Sequence, residues 1–135
     1  MGAEIDWTAL ARQAWEARLR AHAPYSKFLV GAALLGASGE VFLGCNVENA
    51  SFGLTICAEQ AAVCAAIQGG CRAFSGIAIV AETENPVTPC GACRQVLAEF
   101  GQQLPIYAEG RGGIHALSTL DQLLPAAFTG KALGS

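Results

Sequence analysis

Two short cysteine motifs, Cys57-Ala58-Glu59 and Pro89-Cys90-Gly91-Ala92-Cys93, each stand at the start of a segment with helical character. Cys90 and Cys93 are three residues apart, so one helical turn puts both sulfurs on one face. A helix N-terminus carries partial positive charge, which favours a thiolate there. A fold that brings the two helix starts together therefore builds a three-sulfur metal site. Zinc takes four protein ligands in a structural site, and three plus water in a catalytic one. Cys64 is two turns beyond Cys57, about 10 Å along the axis, which is too far. Cys71 follows a double glycine, Cys45 ends an apolar run, and His22 and His115 stand alone. No fourth ligand has paired spacing, so an open position is the simplest reading, and Glu59 sits beside one ligand without being needed as a ligand itself. A purely structural zinc site and a redox Cys-x-x-Cys pair remain open. The late, proline-led position of Cys90 speaks against redox chemistry, whose motif usually follows an early strand.

The rest of the chain is read around these motifs. Residues 6–21 have helical spacing of Trp7, Leu10, Ala11, Ala14 and Leu19, with Asp6 as N-cap and Pro24 beyond the end. Residues 28–35 and 40–45, joined by a Ser38-Gly39 turn, predict a β-hairpin. Residues 46–55 are a polar loop, and the alanine-rich 56–68 a buried helix stopped by Gly69-Gly70. A strand follows at 77–81, a loop at 86–89, a helix at 90–100 and a strand at 105–108. Then come a turn at 110–113, a strand at 114–118, and a short helix and tail from Asp121. The alternation predicts an α/β fold with helices on both faces of a mixed sheet, in one domain over residues 1–135.

Composition narrows the function. Charged residues are 14% of the chain against the usual quarter or so, which points to a large subunit interface. No run approaches the roughly 18 apolar residues of a spanning helix, so no membrane partner is expected. The net charge of −3 has no basic block behind it, which argues against nucleic acid as a partner. Met1-Gly2-Ala3-Glu4 lacks the basic and apolar run of a signal peptide, and Asp6 stands where an acylation motif has Ser or Thr. A cytoplasmic protein is expected, whose cysteines are thiols or metal ligands.

The two cysteine motifs match the signature of zinc-dependent deaminases, a metal ligand two residues before a glutamate and a later Pro-Cys-x-x-Cys. The wider match is to the small homotetrameric cytidine deaminases. Residues 24–34, from Pro24-Tyr25-Ser26-Lys27-Phe28 onward, resemble that family's opening motif. Gly44-Cys45-Asn46-Val47-Glu48-Asn49-Ala50 resembles its ribose-binding motif, and Leu123-Leu124-Pro125-Ala126-Ala127-Phe128 its C-terminal one. The resemblance runs from about residue 7 to 128.

The resemblance implies a three-layer α/β/α sandwich around a mixed, about five-stranded sheet. It implies a homotetramer with shared active sites and one zinc per subunit on Cys57, Cys90 and Cys93. Glu59 takes a proton from water and delivers it to N3 of the ring. Water attacks C4, and ammonia leaves. The reaction implied is hydrolysis of cytidine and deoxycytidine to uridine and deoxyuridine, in pyrimidine salvage. Asn46 and Glu48 are implied to bind the ribose, and their i, i+2 spacing points both one way in an extended chain. Phe28 is implied as a wall of the nucleoside pocket, with Ala50 and Phe52 also at the substrate. Ala58 N–H is implied to meet the base carbonyl and Thr88 C=O the departing amine. Phe128 is implied to stack on the base from a neighbouring subunit.

Many family members have Tyr where Phe52 stands and Arg where Gln60 stands. Gln60, on the face of Cys57, is expected to present an amide N–H to a thiolate, and Arg94 to offset the site's net negative charge. The alternatives are a deaminase of a cytosine nucleoside antibiotic such as blasticidin S, and a non-enzymatic zinc or redox module. The Asn46-Val47-Glu48-Asn49 run favours the ribose reading over the first.

Overall fold

A computed structural model of the chain describes residues 4–134; Met1 to Ala3, on which part of the reading of the chain's start rests, lie outside the described residues. The elements are α1 (Trp7–Arg18), β1 (Val30–Gly36), β2 (Val41–Cys45), α2 (Ala58–Gln68) and β3 (Phe74–Ala81). They continue with α3 (Gly91–Ala98), β4 (Pro105–Glu109), β5 (His115–Thr119) and α4 (Leu120–Leu123). The strand order is β2-β1-β3-β4-β5. Only β3 and β4 are parallel; the other neighbours are antiparallel. The expected mixed five-stranded sheet is therefore present.

Alternation along the strands sorts the core into two layers. Ala33, Ala78, Val80 and Tyr107 face α1 and meet Leu10, Ala11 and Ala14. Ala32, Leu34, Ile77, Ile79 and Ile106 face the other way and meet Ala58, Ala62, Val63 and Ala66 of α2 and Leu97 of α3. Helices thus cover both faces, as in a three-layer sandwich. Two glycines let the helices lie close. A Cβ on Gly31 would sit 2.0 Å from the Ala14 carbonyl, and one on Gly44 2.2 Å from the Ala58 carbonyl. The second contact seats the first turn of α2, and with it Cys57 and Glu59, on the sheet.

Element boundaries differ from expectation for local reasons. Helix α1 starts where Asp6 caps it, its carboxylate accepting from Ala9 N–H at 3.1 Å. It ends three residues early because the chain tightens into i→i−3 bonds at Leu19 to Ala21 and His22 N–H then pairs with Asn46 C=O at 2.9 Å. Strand β1 begins at Val30, not residue 28. The Asn46 side chain takes the place of a neighbouring strand there, donating to Phe28 C=O at 2.8 Å and accepting from Val30 N–H at 2.9 Å. Just upstream, Lys27 has φ 61, which turns the chain out of the sheet. Strand β3 begins at Phe74, three residues earlier than the apolar run, and pairs beyond a bulge with Gly36. Helices α2 and α3 start one residue after their cysteines, which serve as N-caps. Helix α2 is not buried all round: Cys64 and Ala65 are exposed on its outer face.

Candidate active site

Cys57 and Cys90 are both extended N-cap residues, at φ −79, ψ 157 and φ −65, ψ 169. The fold brings these two helix starts together. Their sulfurs lie 4.0 Å apart, and Cys93, one turn into α3, places its sulfur 3.3 Å from that of Cys90. All three sulfurs lie within 4.8 Å of one another. Tetrahedral zinc with bonds of ~2.3 Å would hold its sulfurs about 3.8 Å apart, so the spacing fits a three-thiolate ligand set. Among the described residues this is the one such group of potential ligands. Cys45, Cys64 and Cys71 lie outside it.

The electrostatics also call for a cation. Burial, foremost, pushes the Cys93 thiol far above its usual range, and the Glu59 charge adds to this. Cys57 is pushed up, first by burial, with Cys90 and Glu59 adding to it against a hydrogen bond from Cys93. Cys90, although burial works against it, is held below the usual range by the Cys93 N–H and the neighbouring thiols. Three sulfurs and a carboxylate packed like this oppose one another's ionisation, and a bound divalent ion removes that opposition.

Glu59, at the second position of α2, is only 5% exposed. Burial pushes its carboxyl up, partly offset by its own backbone N–H and by Cys93. It opens onto a cavity of about 260 Å³, near the small end of ligand sites. Phe28, Asn46, Cys57, Ala58, Thr88 and Cys90 share the lining with Glu59. Thr55, Val30, Ile79 and Val87 complete it; Val30 lies in the 24–34 run, but none of the four was expected as a site residue.

The remaining expected site residues sit elsewhere. Glu48 and Phe52 border a neighbouring concavity with Tyr25 and Ser26, and Thr55 belongs to both spaces. Asn46 and Glu48 both reach the 25–30 segment, but only Asn46, 8% exposed, lines the main cavity. Glu48 accepts from Tyr25 N–H at 3.0 Å, Ser26 N–H at 3.1 Å and the Ser26 hydroxyl. The Ser26 hydroxyl, then these N–H groups, hold its carboxyl below the usual carboxylate range. Ala50 is exposed outside the cavity. Phe128 is 60% exposed and lies outside it too; its carbonyl accepts from the Gln95 amide at 2.8 Å.

One expectation changes and another gains detail. Gln60 turns its oxygen, not its N–H, to the cysteine: Oε1 accepts from Cys57 N–H at 3.3 Å, closing a capping box. The third helical position lies within reach of the unpaired N-cap N–H, which explains the preference. Arg94 bonds to backbone and hydroxyl oxygens of Pro89, Leu123 and Thr88, not to a sulfur.

Comparison with known proteins places this geometry. The sequence model of the cytidine and deoxycytidylate deaminase zinc-binding region matches residues 6–109. The cytidine deaminase of Sporosarcina psychrophila is 46% identical over 126 residues, 93% of either chain. That of Halalkalibacterium halodurans is 48% identical over 126 residues, 93% of this chain and 96% of its own. Among solved structures, the cytidine deaminase of Burkholderia pseudomallei superposes with a TM-score of 0.89 at 47% identity, covering 92% of this chain and 100% of its own. That of Mycobacterium tuberculosis gives 0.82 at 44% identity, covering 93% and 98%. Among the described residues, no helix is long and apolar enough to cross a membrane.

Proposed function

The chain belongs to the cytidine and deoxycytidylate deaminase family, and we propose that the cavity beneath Cys57, Cys90 and Cys93 is where it works. It is a zinc-dependent hydrolase that converts cytidine and water into uridine and ammonia. The relatives are named as cytidine deaminases, so the antibiotic reading gains no support. The observation that carries the assignment of the site is a buried carboxyl opening onto the same cavity as the cysteine cluster, on a residue that the metal does not need.

Cys57, Cys90 and Cys93 would hold the zinc. When bound, zinc supplies a water acidic enough to act as nucleophile near neutral pH. Glu59 takes the water's proton and passes it to ring N3 while the oxygen adds to C4. A second transfer through Glu59 protonates the amine, the C4–N bond breaks, and ammonia leaves as the C4 carbonyl forms. A buried carboxyl with a raised pKa suits a group that must hold a proton between two transfers.

The other roles follow from what each group leaves unused. Ala58 opens α2, so its N–H has no partner within the helix and is available to the base carbonyl. Thr88 lines the cavity and offers its carbonyl to the departing amine. Phe28 forms the wall. Asn46 spends one amide N–H on Phe28, which leaves the other for a ribose hydroxyl. Glu48 accepts three bonds, and a carboxylate has room for about four. Ala50, Phe52 and Phe128 complete composite sites in a homotetramer that holds one zinc per subunit. The exposed Phe52, Leu54, Leu117 and Phe128 and the low charge content support that assembly. A cytoplasmic role in pyrimidine salvage, with deoxycytidine as a second substrate, fits the same reading.

Purified zinc-replete protein should release one ammonia per uridine formed from cytidine. No uridine at saturating cytidine would exclude the reading.

A further inference from the structure

Arg94 makes three hydrogen bonds from three different nitrogens. Its Nε donates to Pro89 C=O at 2.8 Å, Nη1 to Leu123 C=O at 2.8 Å, and Nη2 to the Thr88 hydroxyl at 3.1 Å. Thr88 and Cys90, the residues on either side of Pro89, both line the cavity. One guanidinium therefore holds the three-residue bridge between a cavity wall and a cysteine of the cluster. The Pro89 carbonyl and the Cys90 nitrogen share one rigid peptide plane. Fixing that carbonyl fixes where the Cys90 Cα sits, and the helix start, with Cys90 at φ −65, sets the direction in which its side chain projects. The bond to the Thr88 hydroxyl fixes that side chain and the backbone carrying it. Leu123 ends α4, where a carbonyl lacks an intrahelical partner, so the third arm anchors the fork to a separate element.

We infer that Arg94 is a positioning residue for deamination, setting the distance between Thr88 and the Cys90 sulfur through the geometry of its planar fork and not through its charge. This rests on the cytidine deaminase reading of the cavity. A lysine would keep the charge but has one nitrogen on a flexible stem, which does not span three acceptors on two separate segments. The Thr88 wall would then drift against the cysteine cluster. The loss falls on the reaction step, where alignment counts most, more than on substrate binding.

The experiment compares wild type, Arg94→Lys, Arg94→Ala and Thr88→Val by kcat and KM for cytidine, with zinc content and Tm measured on each. Arg94→Lys should lose kcat by about 10–100-fold, as outer-shell partners of metal sites do, with KM little changed and zinc near one per chain. Added guanidinium ion should restore part of the kcat of Arg94→Ala, and ammonium ion should not. Wild-type kcat in Arg94→Lys would overturn the inference, as would a loss fully accounted for by missing zinc. If neither Arg94 variant folds, Thr88→Val decides. It keeps the branched shape and removes one arm, so a lowered kcat at full zinc supports the inference and an unchanged kcat overturns it. Wild type without activity on cytidine would instead remove the functional reading beneath it.

Discussion

The Cys57 and Cys90 sulfurs stand 4.0 Å apart although 33 residues separate them in the chain. Each cysteine is the N-cap of its helix, and both helices pack on the same face of the sheet. The metal site is thus a by-product of where two helices begin. Anything that moves one helix start relative to the other should be felt first at the metal.

Gly44 tests that coupling. A methyl there would meet the Ala58 carbonyl at 2.2 Å and the Ala62 nitrogen at 2.5 Å, both backbone. Gly44→Ala should therefore push α2 from the sheet and cost roughly 1–3 kcal/mol or more, as overpacking does. Zinc retention against a chelator should fall with stability. Gly53→Ala, where a Cβ meets nothing within 4 Å of its own chain, is the control for zinc retention and should leave it nearly unchanged. Equal behaviour of the two variants would remove the coupling.

Glu59→Gln should keep the fold and zinc but lose activity by about 10²–10⁴-fold, the usual worth of general acid–base help. The same change should stabilise the metal-stripped protein at neutral pH. Burial raises the Glu59 pKa in the folded state. The stability tied to its neutral form is present below the ordinary carboxylate range and is lost as pH rises through the raised value. Gln never ionises, so the variant's advantage should appear on going from acid to neutral pH. A Tm difference that does not change over that range would contradict the burial argument.

Gln60→Ala should cost about 0.5–1.5 kcal/mol, the net worth of one hydrogen bond, because the Cys57 N–H loses its acceptor. Zinc should also leave faster, since Cys57 is then held less firmly. Thermal unfolding and chelator kinetics read the two effects separately. Unchanged values in both would return Gln60 to an ordinary helix-surface role.

Much of this could be read in the sequence because the physics was local. Asp6, Cys57 and Cys90 mark helix starts through their own chemistry, and the alanines of α2 mark a helix that must lie close to something. What was illegible depended on distant partners. Phe28 leaves the apolar run it belongs to because the Asn46 amide substitutes for a strand beside it. Phe74 joins β3 because Gly36 lies opposite, beyond a bulge. Arg94 was expected to offset the site's charge, and the oxygens it holds on two other segments could not be read from its position. The spacing of Asn46 and Glu48 points both one way in an extended chain, but it does not show that they border different cavities, with Thr55 lining both. These features follow from tertiary packing, which no window of local sequence contains.

The ligand set of the metal decides whether this is a three-cysteine catalytic site, and X-ray absorption at the zinc edge measures it. The as-purified protein should hold one zinc per chain with three sulfurs at about 2.3 Å and a single lighter oxygen ligand. Four sulfurs, an imidazole nitrogen among the ligands, or protein free of zinc would contradict a three-cysteine catalytic site with Glu59 left to move protons.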